Sequence, residues 1–397
     1  MKYDLCIIGG AGHVGLPLGV AFAQKRVKTV LFDIRPEVLQ TIQKGKFPFK
    51  EDGGQKALKD ALSKKSLFVS TDPKAISEST HALLVIGTPV DEYLNPDFNG
   101  LMRVLEKYSS YFRNGQTLIL RSTIYPGTTE RVQRYFNKKG KKVRVVFCPE
   151  RIAQGRAIRE LKKLPQVVSG FDVRAVKEGS MLFKKIVPQI ITTSHPVEAE
   201  LTKLFSNAWR YIKFAVANQF YMMATEHGLD YHKIHDAMVK DYERNRELPR
   251  PGFTAGPCLF KDTMQLAAFH NNSFFLGHSA MLVNEGLPNF LVRRLKAMHT
   301  NPGLKEKTVG ILGMAFKADS DDHRDSLSYK LWKILRAEAR EVLCHDVYIK
   351  DAAFHPVEKV LKESDIVILA APHSEYKAIN PKKYPRAHFV DIWNFWA

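Results

Sequence analysis

The chain has no apolar run near the roughly 18 residues that a membrane helix requires; its longest, residues 81–87 and 366–371, stop far short. The opening MKYDLCIIGG carries one lysine, is interrupted by Asp4 and enters glycines, so it reads as a strand and not as a signal peptide. Cysteine is scarce. Cys6, Cys148, Cys258 and Cys344 are scattered over 397 residues with no CxxC pair, which excludes a disulfide scaffold, suggests no metal site and fits reduced thiols in a cytoplasmic protein. Nor is there a long basic tract or finger motif to accompany the net charge of +19. The excess is therefore read as serving small anionic ligands, with no nucleic acid and no membrane as partner.

What is present is globular usage, 45% hydrophobic and 25% charged, at a length that predicts two to three domains. Short apolar runs at 5–8, 29–32, 67–69, 82–86, 117–120 and 143–147 alternate with amphipathic stretches, the texture of a parallel sheet covered by helices. From 197 to 227 there is no glycine or proline, and the spacing predicts one helix of about 30 residues, on the order of 45 Å long. Helical pattern continues over 231–240 and 261–298. Strand texture returns at 308–312, 341–343, 366–369 and 388–391. Residues 79–89 and 364–372 echo each other, each a strand closed by proline. The fold class expected is α/β: two Rossmann-like doubly wound parallel-sheet domains joined by a long central helix and a helical middle domain.

Three constellations carry chemistry. Strand 3–8 runs into Gly10-Ala11-Gly12-His13-Val14-Gly15 ahead of a helix, and Asp33 closes the next strand eighteen residues beyond Gly15. Glycines for the tight turn, for pyrophosphate approach and for helix packing, with an acid for the ribose, point to NAD; the nearby Arg35 leaves a small opening for NADP. Cys258 follows a Gly-Pro pair and precedes a helix, so the helix dipole and Lys261 favour the thiolate over its usual pKa of about 8.5 and predict a nucleophile. The other cysteines read as inert strand residues. Lys203 and Asn207 share a helix face, which by spacing alone describes a solvated stripe as readily as a site. His232 and His235 read as helix surface and not as metal ligands.

Taken in order, these segments resemble the UDP-glucose/GDP-mannose dehydrogenase family. The resemblance is carried by residues 10–15, Gly87-Thr88-Pro89 with Pro96-Asp97, and residues 122–129, 149–155, 200–208, 256–262 and 313–319 with Arg324. It implies an NAD-binding domain at 1–195, a helical domain at 196–300 carrying dimerisation and the cysteine loop, and a nucleotide-sugar domain at 301–397. It also implies oxidation of a sugar 6-hydroxymethyl to the uronic acid in two steps, through a thiohemiacetal and a thioester on Cys258.

In the family pattern Lys203 and Asn207 stabilise an oxyanion, Asp262 with Thr123 handles water and protons, and Glu150 is an acid/base near the reacting carbon. Thr88, Pro89, Ser122, Thr123, Lys261 and Arg324 join the glycine loop and Asp33 at the cofactor. Glu150, Arg151, Ile152, Gln154, Lys203, Asn207, Phe253, Gly256 and Lys317 meet the substrate, with Arg244 supplied by a neighbouring subunit, since a homodimer or an assembly of dimers is implied. Three positions depart from the pattern. Gln154 stands where a second glutamate is common, Thr-Ala-Gly-Pro precedes Cys258, and Asp391-Ile-Trp393-Asn394 follows the last strand where UDP-glucose enzymes carry an arginine, so a UDP-N-acetylhexosamine is as well supported as a UDP-hexose. The competing readings are a single-step hydroxyacid dehydrogenase of the 6-phosphogluconate type, which lacks the cysteine segment, and a non-catalytic nucleotide-binding protein.

Overall fold

Eight of the twelve strands among the described residues fall before residue 193 and pair into one sheet: β1 Tyr3–Ile8, β2 Thr29–Phe32, β3 Leu67–Ser70, β4 Ser79–Leu84, β5 Thr117–Leu120, β6 Arg144–Phe147, β7 Gln166–Gly170 and β8 Ile190–Thr192. The computed structural model describes residues 1–88, 97–254, 256 and 258–396, in two compact units, Met1–Ser206 and Asn207–Ala397.

In the first unit the strand order is β3-β2-β1-β4-β5-β6-β7-β8. β1, β2 and β5 are buried along their whole length or nearly so, because helices cover both sheet faces and every residue meets a core. The two faces carry separate apolar clusters, one around Leu5, Ile7 and Leu31, the other around Cys6, Ile8 and Phe32, alternating along the strands from Leu5 onward. Gly19 of the helix Gly15–Gln24 lets that helix lie on β2, since a Cβ there would stand 2.5 Å from Leu31.

The sheet is not wholly parallel. β7 runs antiparallel to β6 and pairs in parallel with β8, two strands that sequence reading passes over because one is framed by Gln166 and Ser169 and the other has only three residues.

The long helix is present as Pro196–Glu226. Proline suits its first turn, Ser194 donates to Glu198 ahead of it, and Gly228 beyond its end has φ +70°. In the second unit the helices Tyr231–Val239, Leu259–Phe269 and Phe275–Met298 precede a four-stranded parallel sheet. Its strands are β9 Thr308–Leu312, β10 Glu341–His345, β11 Ile366–Leu369 and β12 His388–Val390, in the order β10-β9-β11-β12.

The helix expected over 261–298 is broken, because Asn271 and Asn272 take left-handed conformations at φ 51° and 58°. His235, expected on a helix surface, is buried, with a ring nitrogen 3.2 Å from the Leu248 carbonyl. The sequence echo has a counterpart: β4 and β11 each lie beside the first strand of their own sheet. No described helix is long and apolar enough to cross a membrane, and no group of three potential metal ligands occurs among the described residues.

Candidate active site

The dinucleotide-type motif of the first unit is built by β1 and β2. Gly9 and Gly10 both donate to the Phe32 carbonyl, closing the turn against β2. A Cβ on Gly10 would lie 2.8 Å from Ile7 and Leu31, and one on Gly15 would lie 2.6 Å from the Gly9 carbonyl. At Gly12 the same atom would meet only the Gly9 carbonyl, at 3.6 Å, so the side of the loop that a pyrophosphate approaches is open.

The Ala11 amide donates to Asp33 Oδ2 at 3.0 Å, fixing the acid against the glycine loop. Arg35 closes a fork on the same carboxylate, Nε to Oδ1 at 3.0 Å and Nη2 to Oδ2 at 3.2 Å. Burial works against ionising Asp33, but the guanidinium and the Ala11 amide outweigh it and hold its pKa below the usual carboxylate range. The residues present fit NAD: an open glycine cradle, a helix start, and an ionised acid at the strand end.

Other predicted residues of the first unit are tied by tertiary contacts. Ser122 bridges the ends of β4 and β5 by donating to the Ile86 carbonyl and accepting from the Ile86 amide. Thr88 donates to the Thr123 carbonyl at 2.6 Å; Pro89 lies outside the described residues. Gln154 meets His13 Nδ1 at 3.1 Å, and the His13 ring rests on Phe49, so the residue that departs from the family pattern is joined to the glycine loop.

Glu150 accepts from the Arg151 and Ile152 amides through Oε1, while Oε2 forms an ion pair with Arg121 at 2.5 Å without an aligned hydrogen bond. Arg121 is itself fully buried and also bonds the Cys148 carbonyl and Gln166. Sequence reasoning missed Arg121, whose partners lie 27 to 45 residues away. It missed Glu200 too, which leaves the long helix to cap residues 127–129 by accepting from the Gly127 and Thr129 amides.

In the second unit Cys258 is the residue before the helix Leu259–Phe269 and is the exposed cysteine. Burial pushes the Cys148 and Cys344 thiols up to about 12 and Cys6 higher still, so those three stay protonated. One turn into the helix Asp262 is fully buried; its Oδ2 accepts from Asn207 and its Oδ1 pairs with Lys261, both at 2.5 Å. Lys203, one turn before Asn207 on its helix, is also buried, which removes the solvated-stripe reading of that pair.

Arg324 forks onto Asp322 and lies within electrostatic reach of Cys258. Asp322 raises the arginine's pKa, and the cysteine adds to that effect. Gly256, at φ +105°, faces the Phe316 ring at a spacing that leaves no room for a Cβ, and Lys317 extends over that ring. Phe253 is packed in the core of this unit, and Arg244 is exposed in the short turn Glu243–Asn245. Trp393 lies against Gly252, where a Cβ would be 2.2 Å from the indole, and donates to the Leu369 carbonyl.

Three family models match the chain in order: the NAD binding domain of the UDP-glucose/GDP-mannose dehydrogenase family at residues 3–187, its central domain at 197–285, and its UDP binding domain at 310–397. The chain belongs to that family. It is an NAD-dependent nucleotide-sugar dehydrogenase, an oxidoreductase, and the open glycine cradle and Asp33 lie in the matched NAD domain.

Among relatives of this dehydrogenase, the UDP-N-acetyl-D-mannosamine dehydrogenase of Pyrococcus horikoshii is 29% identical over 382 residues, covering 94% of this chain and 90% of the relative. The solved structure of the P. horikoshii UDP-D-ManNAc dehydrogenase superposes with a TM-score of 0.91 at 28% identity, covering 99% of this chain and 96% of that one. An NDP-N-acetyl-D-galactosaminuronic acid dehydrogenase from Ralstonia nicotianae is 24% identical, with 98% of this chain and 95% of the relative covered.

Proposed function

We propose that this dehydrogenase oxidises C6 of a UDP-N-acetylhexosamine, with UDP-N-acetylmannosamine as the leading substrate, through a covalent intermediate on Cys258, in the supply of uronic acids for surface polysaccharide. The observation that carries the reading is the exposed Cys258 thiol at a helix start, one turn from the buried Asp262–Asn207 pair and the half-buried Lys261. The substrate choice rests on relatives named for N-acetylated sugars and on Asp391-Ile-Trp393-Asn394 after the last strand, where UDP-glucose enzymes of the family carry an arginine.

NAD supplies the hydride acceptor for both oxidations. After the first, Cys258 Sγ attacks the C6 aldehyde, forming a C–S bond, and the oxyanion takes a proton; Asn207 and Lys203 stabilise that charge. Loss of the remaining C6 hydrogen as hydride, with the hydroxyl proton, leaves a thioester. Water then adds at C6, the C–S bond breaks with its electron pair returning to sulfur, and the protons leave through Asp262 and Thr123. The net reaction consumes one alcohol, two NAD and one water and yields one carboxylate, two NADH and three protons.

Replacing Cys258 with serine is expected to lower uronate formation more than about a thousandfold while NAD binding is retained. NADH stoichiometry and product mass measured together check this, and full turnover in the variant overturns the covalent route.

A homodimer through the long helix is supported by Phe205, Trp209, Val216, Phe220 and Met223, which are all exposed and recur at helical spacing. Sedimentation at micromolar concentration is expected to give a mass of at least two chains, and a monomer sinks this reading. The four thiols, none in a disulfide, support a cytoplasmic location.

A further inference from the structure

In the second unit, a side chain that no motif singles out ties down the loop that leaves β9. The segment from Gly313 to Asp319 leaves β9 and carries Lys317, the residue that the family resemblance brings to the nucleotide sugar. Its two ends are tied to one imidazole. His373, fully buried after β11, directs Nε2 at Asp346 Oδ2 at 3.1 Å, and its Nδ1 accepts from the Asp319 amide at 2.9 Å. The amide can only donate, so Nδ1 carries the lone pair and the ring proton is on Nε2, facing the carboxylate.

Asp346 Oδ2 in turn accepts from the Met314 and Ala315 amides at 2.6 and 3.0 Å, at the start of the segment. At its other end Ser374, the next residue after His373, donates its amide and its hydroxyl to the Asp319 carboxylate at 2.8 and 2.7 Å. The Tyr348 ring stands edge-on to the imidazole at 5.0 Å and Tyr376 lies at 5.6 Å, which fixes the orientation of the imidazole.

We propose that His373 is a positioning residue for nucleotide-sugar binding: it holds both ends of the Gly313–Asp319 segment, and so the place of Lys317, through Asp346 on one side and the Asp319 amide on the other. This rests on the reading that Lys317 meets the nucleotide sugar. A glutamine at 373 keeps an amide donor long enough for Asp346 but offers no acceptor where Nδ1 stood. An asparagine places its carbonyl oxygen close to the Nδ1 position.

In the full-length enzyme His373→Gln is expected to raise KM for UDP-N-acetylmannosamine about tenfold, with kcat and the KM for NAD within about twofold of the parent. His373→Asn recovers most of that loss. Ser374→Ala, whose removed hydroxyl is at the exposed rim of the network, raises the same KM about threefold and serves if the histidine variants fold poorly. An unchanged sugar-nucleotide KM in His373→Gln and Ser374→Ala overturns the proposal, as does a parallel loss in both substrates' constants. Calorimetry with UDP separates this inference from the functional reading. If the parent oxidises no nucleotide sugar, the function falls, and UDP affinities that are equal in the parent and in His373→Gln then overturn the positioning role independently.

Discussion

Asp33 and Asp346 occupy the same place in two sheets. Each follows the strand next to the first strand of its sheet, and each accepts amide protons from the loop that leaves that first strand, Ala11 in one case and Met314 with Ala315 in the other. What closes the remaining lone pairs differs. Over Asp33 lies Arg35, whose side chain is 48% exposed, a long cation that water can replace. Over Asp346 lie His373, which is 0% exposed, and the Tyr348 and Ile349 amides, a set that leaves no room for a ligand hydroxyl. In the proposed function one strand-end acid is a reader, while the other is built as a strut, and the difference is made by the accessibility of the partner.

That contrast breaks most visibly at the strut. Asp346→Ala strands four backbone amides and a buried imidazole at once, and is expected to cost at least about 3 kcal/mol of stability in chemical denaturation, with NAD affinity unchanged where the protein remains folded. A loss under about 1 kcal/mol would show that water substitutes for the carboxylate. The sign of the pH response follows. Burial opposes the ionised form of Asp346, but His373 and the Tyr348 and Ile349 amides overcome it and bring the pKa down to about 2. Its stabilising effect is therefore fully present above the ordinary carboxylate pKa and is lost as pH falls towards about 2. The parent is expected to unfold on acidification with a steeper pH dependence than the alanine variant, monitored by circular dichroism.

At the reader the expected change is smaller and of another kind. Asp33→Ala is expected to raise the NAD dissociation constant about tenfold while the melting temperature of the free enzyme moves little, because the lost contacts are the Ala11 amide and a half-exposed arginine. Fluorescence titration with NADH and a thermal melt measure the two effects. A loss of stability comparable to that of Asp346→Ala would make both acids struts.

The sequence carries the reader and hides the strut for a physical reason. Gly10 to Gly15, the strand before them and Asp33 lie within one short segment, where local geometry forces the residue types. Residues 256–262 likewise keep the cysteine, its helix and Asp262 together. Asp346 and His373, or Arg121 and Glu150, meet only after strands pair, and neither partner has a compositional signature at 27 to 29 residues' separation. The strands that went unforeseen failed on length and polarity. The helix break at Asn271-Asn272 was written in residue types that tolerate left-handed backbone, but the surrounding helical pattern masked it. Burial of His235 and Lys203 is a tertiary outcome that no periodicity of their own helices distinguishes from a wetted face.

The unequal treatment of the four thiols gives the enzyme a built-in counter. Three are sealed in strands or at their ends and held protonated, and one stands exposed at a helix start. A mild alkylating reagent in excess therefore distinguishes one sulfur per chain from the rest, so that the label taken up counts chains whose proposed nucleophile is free to react. Any comparison of variants can then be normalised to chains with a reactive thiol instead of to total protein.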